Sequence, residues 1–514
     1  MTIKLAVKKW INDILGRGDY RRYQEREKRK QRVIGQLFSL SVLISAIFYI
    51  VWCMFQANMQ YWYMTVPFIL TEFVFLFLFL LWTNVLWNKR FHRPEGPPVE
   101  TKNYSVDIFI PVCKEPLDIV ENTMIGATSI DYKNKTVYLL DDGGDDALIE
   151  LAEKYGITYI RRPTHEHSKA GNFNYALQQS HGDLILAIDA DQVAKPEFIK
   201  SIIGYFSIPR IGFVQTEQNF RLPKGDPWGN ADKVFYRVMQ PGKDYDNAAI
   251  SCGNGCMYRR SAIESIGGFS TWNLVEDLHT SLKLHGKKWI SVYHGIAYTK
   301  GTAPQDVLTQ SKQRWQWSVD SLRMIFWDSP LKYKNLSWAQ RLQYFHFGFN
   351  YIAFGLCLPI FFIIPIWALF THHFMLSTPL WKYVLARLPY FILYAISNKI
   401  ITDKIHSFKV FQAQAGLFHV YLHALITALL SKNRVPKYTV TRKVAIMPNF
   451  FSRLFKCLPH IVFVVFAILS VIFGIATIKD DIWFLLVNAF WALWVVALLW
   501  RFIALSLFPK LFTK

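Results

Sequence analysis

The sequence predicts an α-helical membrane protein with a cytosolic α/β domain, built on a mostly parallel doubly wound sheet, inserted between its second and third membrane spans. Three observations lead there. Apolar residues, 52% of the 514 with aromatics at 16%, are gathered in blocks long enough to cross a bilayer. Between two such blocks, residues 88–343 alternate short apolar strands with helical patterns. That same stretch carries, in order, Asp141-Asp142-Gly143-Gly144, Asp189-Ala190-Asp191, Glu276-Asp277 and Gln313-Arg314-Trp315-Gln316-Trp317.

Residues 1–32 form a basic cytosolic N-terminus in which Arg21, Arg22, Arg26, Lys28, Arg29, Lys30 and Arg32 run up to the first span. No cleavable leader pattern precedes that span, so it is expected to be retained. Spans are predicted at 33–55 and 61–87 (segment 33–87), at 344–370 and 380–397 (segment 344–398), and at 460–478 and 482–508 (segment 460–508). Lys89, Arg90 and Arg93 follow the second span, and cationic flanks remain on the cytoplasmic side. The domain at 88–343, both termini and the tail at 509–514 are therefore expected in the cytoplasm, with the chain in the plasma (inner) membrane. Segment 399–459 begins with an amphipathic stretch, 407–430, that suits the interface rather than a crossing.

The net charge of +21 could suit nucleic acid, but its densest run abuts a span and no nucleic-acid-binding motif accompanies it. Membrane lipid is the expected partner of that charge, and nucleic acid is not. The six cysteines form no CxxC pair, and Cys252 and Cys256 lack the spacing and histidine neighbours of a zinc site. Reduced thiols in a cytosolic domain are expected.

Within the polar domain, strands are predicted at 106–111, 137–140, 157–160, 184–188 and 212–215, with helices at 117–129, 147–154 and 170–180. Such sheets bind ligands beyond the carboxyl ends of their strands, and Asp141, Asp142, Asp189 and Asp191 close the second and fourth of them. An Asp-x-Asp at a strand end suits Mg²⁺ or Mn²⁺ held together with a nucleotide diphosphate, although a solvated turn has the same composition. Asp141 and Asp142 could offer carboxylates to a base and ribose, with Gly143 and Gly144 permitting close approach; an ordinary Asp-Gly turn is the alternative. Lys169, in His167-Ser168-Lys169-Ala170-Gly171-Asn172, stands where a helix begins and phosphate is favoured, as would a simple helix cap. Asp277 is the candidate general base, with an N-capping carboxylate as the alternative. Trp315 and Trp317 cannot share a helix face, so one is expected to line a sugar site and the other to pack.

The ordered set resembles the membrane-embedded processive family-2 glycosyltransferases, and the catalytic subunit of bacterial cellulose synthase in particular. The likeness runs from about Val106 to about Lys443 and includes Val106-Asp107-Ile108, Lys114-Glu115-Pro116, Val214-Gln215-Thr216 and Cys252-Gly253 besides the motifs above. It implies a GT-A (Rossmann-like) domain, nucleotide contacts from Asp141 and Asp142, diphosphate or metal contacts from Lys169, Asp189 and Asp191, and base catalysis by Asp277. Cys252, Gly253, Glu276 and Trp317 would sit near the acceptor sugar. Tyr438-Thr439-Val440-Thr441-Arg442-Lys443 resembles the family's Phe-x-Val-Thr-x-Lys gating loop, placing Thr441 and Lys443 over the donor. The family's Gln-x-x-Arg-Trp becomes Gln313-Arg314-Trp315-Gln316-Trp317, so Gln316 replaces an arginine and cannot supply its fork; Arg314 is the nearest substitute. Asn254 and Val275 stand where the family has Ser and Thr.

The resemblance implies inverting, processive synthesis of a β-linked glucan, cellulose or mixed-linkage, from UDP-glucose. The growing polysaccharide would cross the membrane through the spans, with accessory export subunits as possible partners. Transfer of one sugar to a lipid acceptor is the alternative. A passive channel with a degenerate transferase domain is a third reading, against which Asp141, Asp189, Asp191 and Asp277 argue.

Overall fold

The computed structural model describes residues 32–87, 102–222, 226, 228–304, 306–402, 404–405, 408–432, 436 and 449–509. Among the described residues six helices are long and apolar enough to cross a membrane: Arg32–Phe55, Met59–Leu86, Trp338–Thr371, Leu380–Ile401, Phe450–Thr477 and Ile482–Leu507. Each overlaps one of the segments predicted from the sequence. Where the structure extends them, a cap explains the extension. Ser337 and Gln340 form a capping box that starts the third helix at Trp338, and Asn449 accepts from the Ser452 amide to start the fifth at Phe450. Exposed side chains such as Ile44, Leu385, Phe455 and Ile472 cover the outside of the bundle, as a lipid-facing surface requires.

The stretch predicted to lie at the interface forms two helices, Phe408–Gly416 and Phe418–Leu430, bent by 47°. The second packs Ala424, Leu425 and Ala428 against Val319 and Leu322 of the long helix Val307–Trp327, so it underlies the α/β domain. The third span is locally underwound into a π turn at Ala353–Cys357. There Gly355 lies against the Tyr421–Leu422 backbone, where an added methyl would come within 2.8 Å.

The α/β domain holds an eight-stranded sheet, β1 (Val106–Val112), β2 (Lys135–Asp141), β3 (Thr158–Arg161), β4 (Leu184–Ala187), β5 (Val193–Ala194), β6 (Ile211–Arg221), β7 (Cys256–Arg259) and β8 (Ile290–Thr302), ordered β3-β2-β1-β4-β7-β6-β8-β5. The first four strands are parallel, as predicted. The other half is mixed: β7 runs antiparallel to both β4 and β6, and β5 antiparallel to β8. Alternation splits the apolar residues between two faces. Ile108, Ile110, Leu139, Leu186 and Val214 pack on one, and Phe109, Leu140, Ile185, Ala187 and Phe213 on the other. With both faces covered, the free carboxyl ends of β1, β2 and β4 form one edge where the chain reverses around β1, and the acids follow directly.

Candidate active site

The Asp141-Asp142-Gly143-Gly144 loop is built by its own carboxylates. Asp141 is fully buried and accepts from the amides of Gly143, Gly144 and Asp145 at 2.8, 2.9 and 3.1 Å, from Tyr159 Oη at 2.6 Å and from Arg161 Nε at 3.1 Å. Burial opposes its ionisation, but the hydrogen bonds from Tyr159 and the loop amides outweigh that and hold its carboxyl below the ordinary value. Asp142 takes a two-pronged contact from Arg162, Nε at 2.7 Å and Nη2 at 2.8 Å, while Nη2 also reaches the Ser168 carbonyl. Both acids thus shape the loop and tie it to the next motif. Any contact with a nucleotide would be made by the exposed edge that they organise.

Lys169, in the first turn of the helix Ser168–Gln179, is the hub. Its Nζ donates to Asp189 Oδ1 and to the Gly253 carbonyl, each at 2.7 Å, and lies 3.1 Å from Glu276 Oε1. Burial disfavours its charge, but Asp189 and then Glu276 more than compensate and raise its pKa. Gly253 has a φ of +67°, and a methyl added there would come within 2.9 Å of both Glu276 Oε1 and Lys169 Nζ and 3.4 Å of Asp277 Oδ2. Four sequence-predicted residues therefore converge on one point, and only glycine fits among them.

Asp277 is the first residue of the helix Asp277–Gly286, after the N-cap position at Glu276; its Oδ1 accepts from the adjacent Leu278 amide at 2.6 Å rather than from an amide further into the turn as a cap would, while the other oxygen faces Gly253. Burial, then the neighbouring Glu276 carboxylate, push its carboxyl well above the ordinary value, with Lys169 opposing. A carboxylate raised in this way is suited to accept a proton near neutral pH.

Asp189 keeps 37% of its side chain exposed, whereas Asp191 is buried and accepts from the Thr302 amide at 3.3 Å. No group of three or more His, Cys, Asp or Glu arranged to hold a metal occurs among the described residues. Two carboxylates next to an expected diphosphate still fit Mg²⁺ or Mn²⁺, which take one or two carboxylates and complete their shell with phosphate and water.

On the helix Val307–Trp327 the two tryptophans have different surroundings. Trp315 stacks on His423 with ring centroids 5.6 Å apart, whereas Trp317 lines a cavity together with Asp277 and Cys252. Trp317→Ala is expected to slow elongation of a sugar chain, and Trp315→Ala to lower the melting temperature; kinetics and a thermal scan on both variants check the split. Arg314 is committed elsewhere. Its Nη2 contacts Asp232 Oδ1 and Oδ2 at 2.7 and 2.8 Å, and its guanidinium lies 4.8 Å from the Trp317 ring, so it braces the tryptophan. Gln316 is buried and Gln313 half-buried on the same helix. Thr441 and Lys443, with the rest of the loop 438–443, lie outside the described residues.

Three residues that position this site went unread in the sequence. Asp320 accepts from the amides of Leu274 and Val275 at 2.9 and 2.8 Å, fixing the approach to Glu276-Asp277 from across the domain. Asn254, noted only as a departure from the family pattern, accepts from the Asp189 amide at 3.0 Å. Gln215 accepts from the Cys252 amide and donates to the Asn254 carbonyl, at 2.7 and 2.9 Å. Asp320 sits one turn beyond Trp317 on the same face, the one available signal. Asp320→Asn removes one acceptor, worth about 1–3 kcal/mol locally. It is expected to lower kcat about ten-fold with donor KM little changed, which steady-state kinetics would read.

The cavity has a volume of about 880 Å³. It begins at Gln218, Cys252, Asp277 and Trp317 and continues between the spans past Tyr351, Phe354 and Phe362 to Phe374 and Met375, in the connection between the third and fourth spans.

Two family models match the chain, Glycosyl transferase family 2 over residues 107–267 and Cellulose synthase over residues 268–410. Cellulose synthase 1 of Komagataeibacter xylinus is 33% identical over 383 residues, 71% of this chain and 24% of that protein. The catalytic subunit (UDP-forming) of cellulose synthase 1 from the same organism is 32% identical over 388 residues, 72% of this chain and 51% of its own length. The cellulose synthase catalytic subunit (UDP-forming) of Pseudomonas fluorescens is 30% identical, covering 72% and 52%. The chain thus spans about a quarter to a half of the length of these curated relatives. Among solved structures, the mannosyltransferase PcManGT from Pyrobaculum calidifontis, in complex with GDP-Man and Mn²⁺, superposes with a TM-score of 0.52 at 16% identity, covering 72% of this chain and 99% of that one. That likeness speaks to the GT-A fold.

Proposed function

From the premise that this chain is a family 2 glycosyltransferase with a cellulose synthase domain, we propose that it processively makes a β-linked glucan, cellulose or mixed-linkage, from UDP-glucose and passes it across the membrane. The observation that carries the proposal is the single cavity that joins the base Asp277 to the far side of the spans. An enzyme that places one sugar on a lipid needs no such path.

In this reading the donor lies over the carboxyl ends of β1, β2 and β4, its base and ribose against the loop that Asp141 and Asp142 build. Lys169 stands beside the diphosphate. Asp189 and Asp191 would hold Mg²⁺ or Mn²⁺, which neutralises charge on the leaving diphosphate. The acceptor ring rests on Trp317 with Cys252 and Gly253 beside it. Asp277 takes the proton from the acceptor hydroxyl as that oxygen bonds to the sugar C1. The bond from C1 to the phosphate oxygen breaks on the opposite face, its electron pair leaves with UDP, and the configuration inverts. Glu276 and Lys169 keep Asp277 in place and set its basicity. With Gln316 neutral and Arg314 bound to Asp232, Lys169 supplies positive charge to the diphosphate. The catalytic domain faces the cytoplasm, where UDP-sugars are made, in the plasma (inner) membrane, with accessory export subunits as partners.

The test is incubation of purified protein with tritiated UDP-glucose and Mg²⁺ or Mn²⁺. High-molecular-weight product digestible by a β-glucanase is the expected result; a labelled lipid or no incorporation would overturn the proposal. EDTA is expected to abolish incorporation, Mg²⁺ or Mn²⁺ to restore it, and Asp189→Asn to prevent the restoration.

A further inference from the structure

The end of the bundle next to the α/β domain holds another cavity, of about 340 Å³, separate from the one that starts at Asp277. Its apolar wall is made by Leu40 and Leu43 of the first span and Leu80 of the second, and Leu40 and Leu80 are also 44% and 39% exposed on the outside of the bundle. Its polar wall is made by Thr83 and Asn84, near the end of the second span, and by Asp246 of the α/β domain. Gly242 brings that acid to the membrane. It packs on the second span so closely that an added methyl would fall 2.1 Å from the Val85 carbonyl oxygen, and Asp246 caps the same short helix, Gln240–Tyr245.

Three polar groups on this wall lack a natural partner. Thr83 Oγ1 and Asn84 Nδ2 are buried and have no hydrogen-bond partner among the described residues. Thr371 and Thr477, also in spans, instead donate to the carbonyl four residues back, the usual use of a hydroxyl in an apolar helix. Asp246 accepts from Gln343 Nε2 at 2.7 Å, and no cation among the described residues forms an ion pair with it. Lys243, one turn earlier, is turned instead to Gln343 Oε1 at 3.2 Å and to the Phe347 ring at 4.0 Å. Burial raises the Asp246 pKa, with Gln343 and Lys243 opposing, as befits a carboxylate short of a counter-charge.

Two unused donors beside an acid without a cation, at headgroup depth and next to an apolar wall, fit a ligand that is cationic, then accepting, then apolar along its length. An ethanolamine phospholipid has those parts in that order. Its ammonium donates to Asp246, its phosphate and ester oxygens accept from Asn84 Nδ2 and Thr83 Oγ1, and a chain follows Leu40, Leu43 and Leu80 into the bilayer. We propose that this cavity binds one phosphatidylethanolamine molecule from the leaflet beside the α/β domain, tying the first two spans to Asp246. A choline headgroup lacks the N–H donors, and an anionic lipid sets its net negative charge against the acid. None of these six residues lines the cavity that starts at Asp277, so the lipid site holds whatever sugar the enzyme transfers.

The test is native mass spectrometry of the full chain, purified in detergent and incubated with an equimolar mixture of dioleoyl phosphatidylethanolamine, phosphatidylcholine and phosphatidylglycerol. Wild type is expected to retain one phosphatidylethanolamine, about ten-fold over either competitor. Asp246→Asn is expected to lower that preference about five-fold. Thr83→Val, which removes the hydroxyl at nearly constant shape and leaves the acid, is expected to weaken phosphatidylethanolamine retention about three-fold and decides the matter if Asp246→Asn does not fold. Photocrosslinking with a phosphatidylethanolamine that carries a diazirine in its acyl chain locates the lipid. The labelled peptides are expected to contain Leu40 or Leu80, with lower yield in both variants. Retention of either competitor at the level of phosphatidylethanolamine, no retained lipid, label confined to other spans, or equal retention by wild type and the variants that fold would overturn the site.

Discussion

Asp277→Asn is expected to reduce sugar transfer by roughly 10²- to 10⁴-fold while donor affinity stays within about two-fold of wild type. The amide keeps the shape and can still accept from the Leu278 amide, but it cannot take a proton from an acceptor hydroxyl. Because burial and Glu276 already disfavour the charged form of Asp277, the substitution removes a repulsion and should leave the melting temperature unchanged or higher. Loss of transfer with that hydrogen bond and the stability retained identifies a base, because an asparagine would serve a purely structural role at the helix start equally well. The same raised pKa fixes the direction of a pH profile. The base form is lost as pH falls through that value, so the acid limb of kcat/KM should lie above the usual carboxylate range, and a limb near pH 4 would contradict the assignment.

Lys169→Met is expected to cost both stability and activity. Its ammonium is the one cation shared by Asp189, Glu276 and the Gly253 carbonyl, and Glu276 is 3% exposed. Removing one partner of a buried pair leaves the other charge uncompensated, at about 3–5 kcal/mol for a fully buried case. Lys169 keeps 24% of its side chain exposed, so the lower end is expected. Transfer should fall at least about 100-fold, because the diphosphate loses its nearest cation and Asp277 loses a neighbour that sets its basicity. The double variant Lys169→Met with Glu276→Gln should recover most of the melting temperature without recovering transfer. Thermal scans with initial-rate kinetics read both effects.

Much of the fold was legible because it obeys local rules. Long apolar blocks bounded by charge gave all six spans, and strands buried on both faces gave the parallel run from β1 to β4. The mixed half of the sheet was not. β7 has four residues with no alternation to read, and β8, with Gly295 and Gly301 and charged residues among its apolar ones, pairs with β6 through register shifts. The site divides in the same way. Lys169, Gly253, Glu276 and Asp277 were found because each stands in a motif, and the structure brings them together. Asp320, Asn254 and Gln215 were given no role, although Gln215 stands in one of the motifs, because what they hold is a backbone group distant in sequence, a contact that only the tertiary fold creates. Asp141 lies between these cases: its motif was visible, but its carboxylate is turned into its own loop.

The central claim is that one path serves synthesis and export. Protein reconstituted in sealed vesicles with its catalytic domain outward, given tritiated UDP-glucose and Mg²⁺ on the outside, tests it most directly. The account predicts polymer that resists external β-glucanase until detergent opens the vesicles. Polymer fully digestible while the vesicles remain sealed, or label recovered only in extracted lipid, would contradict it.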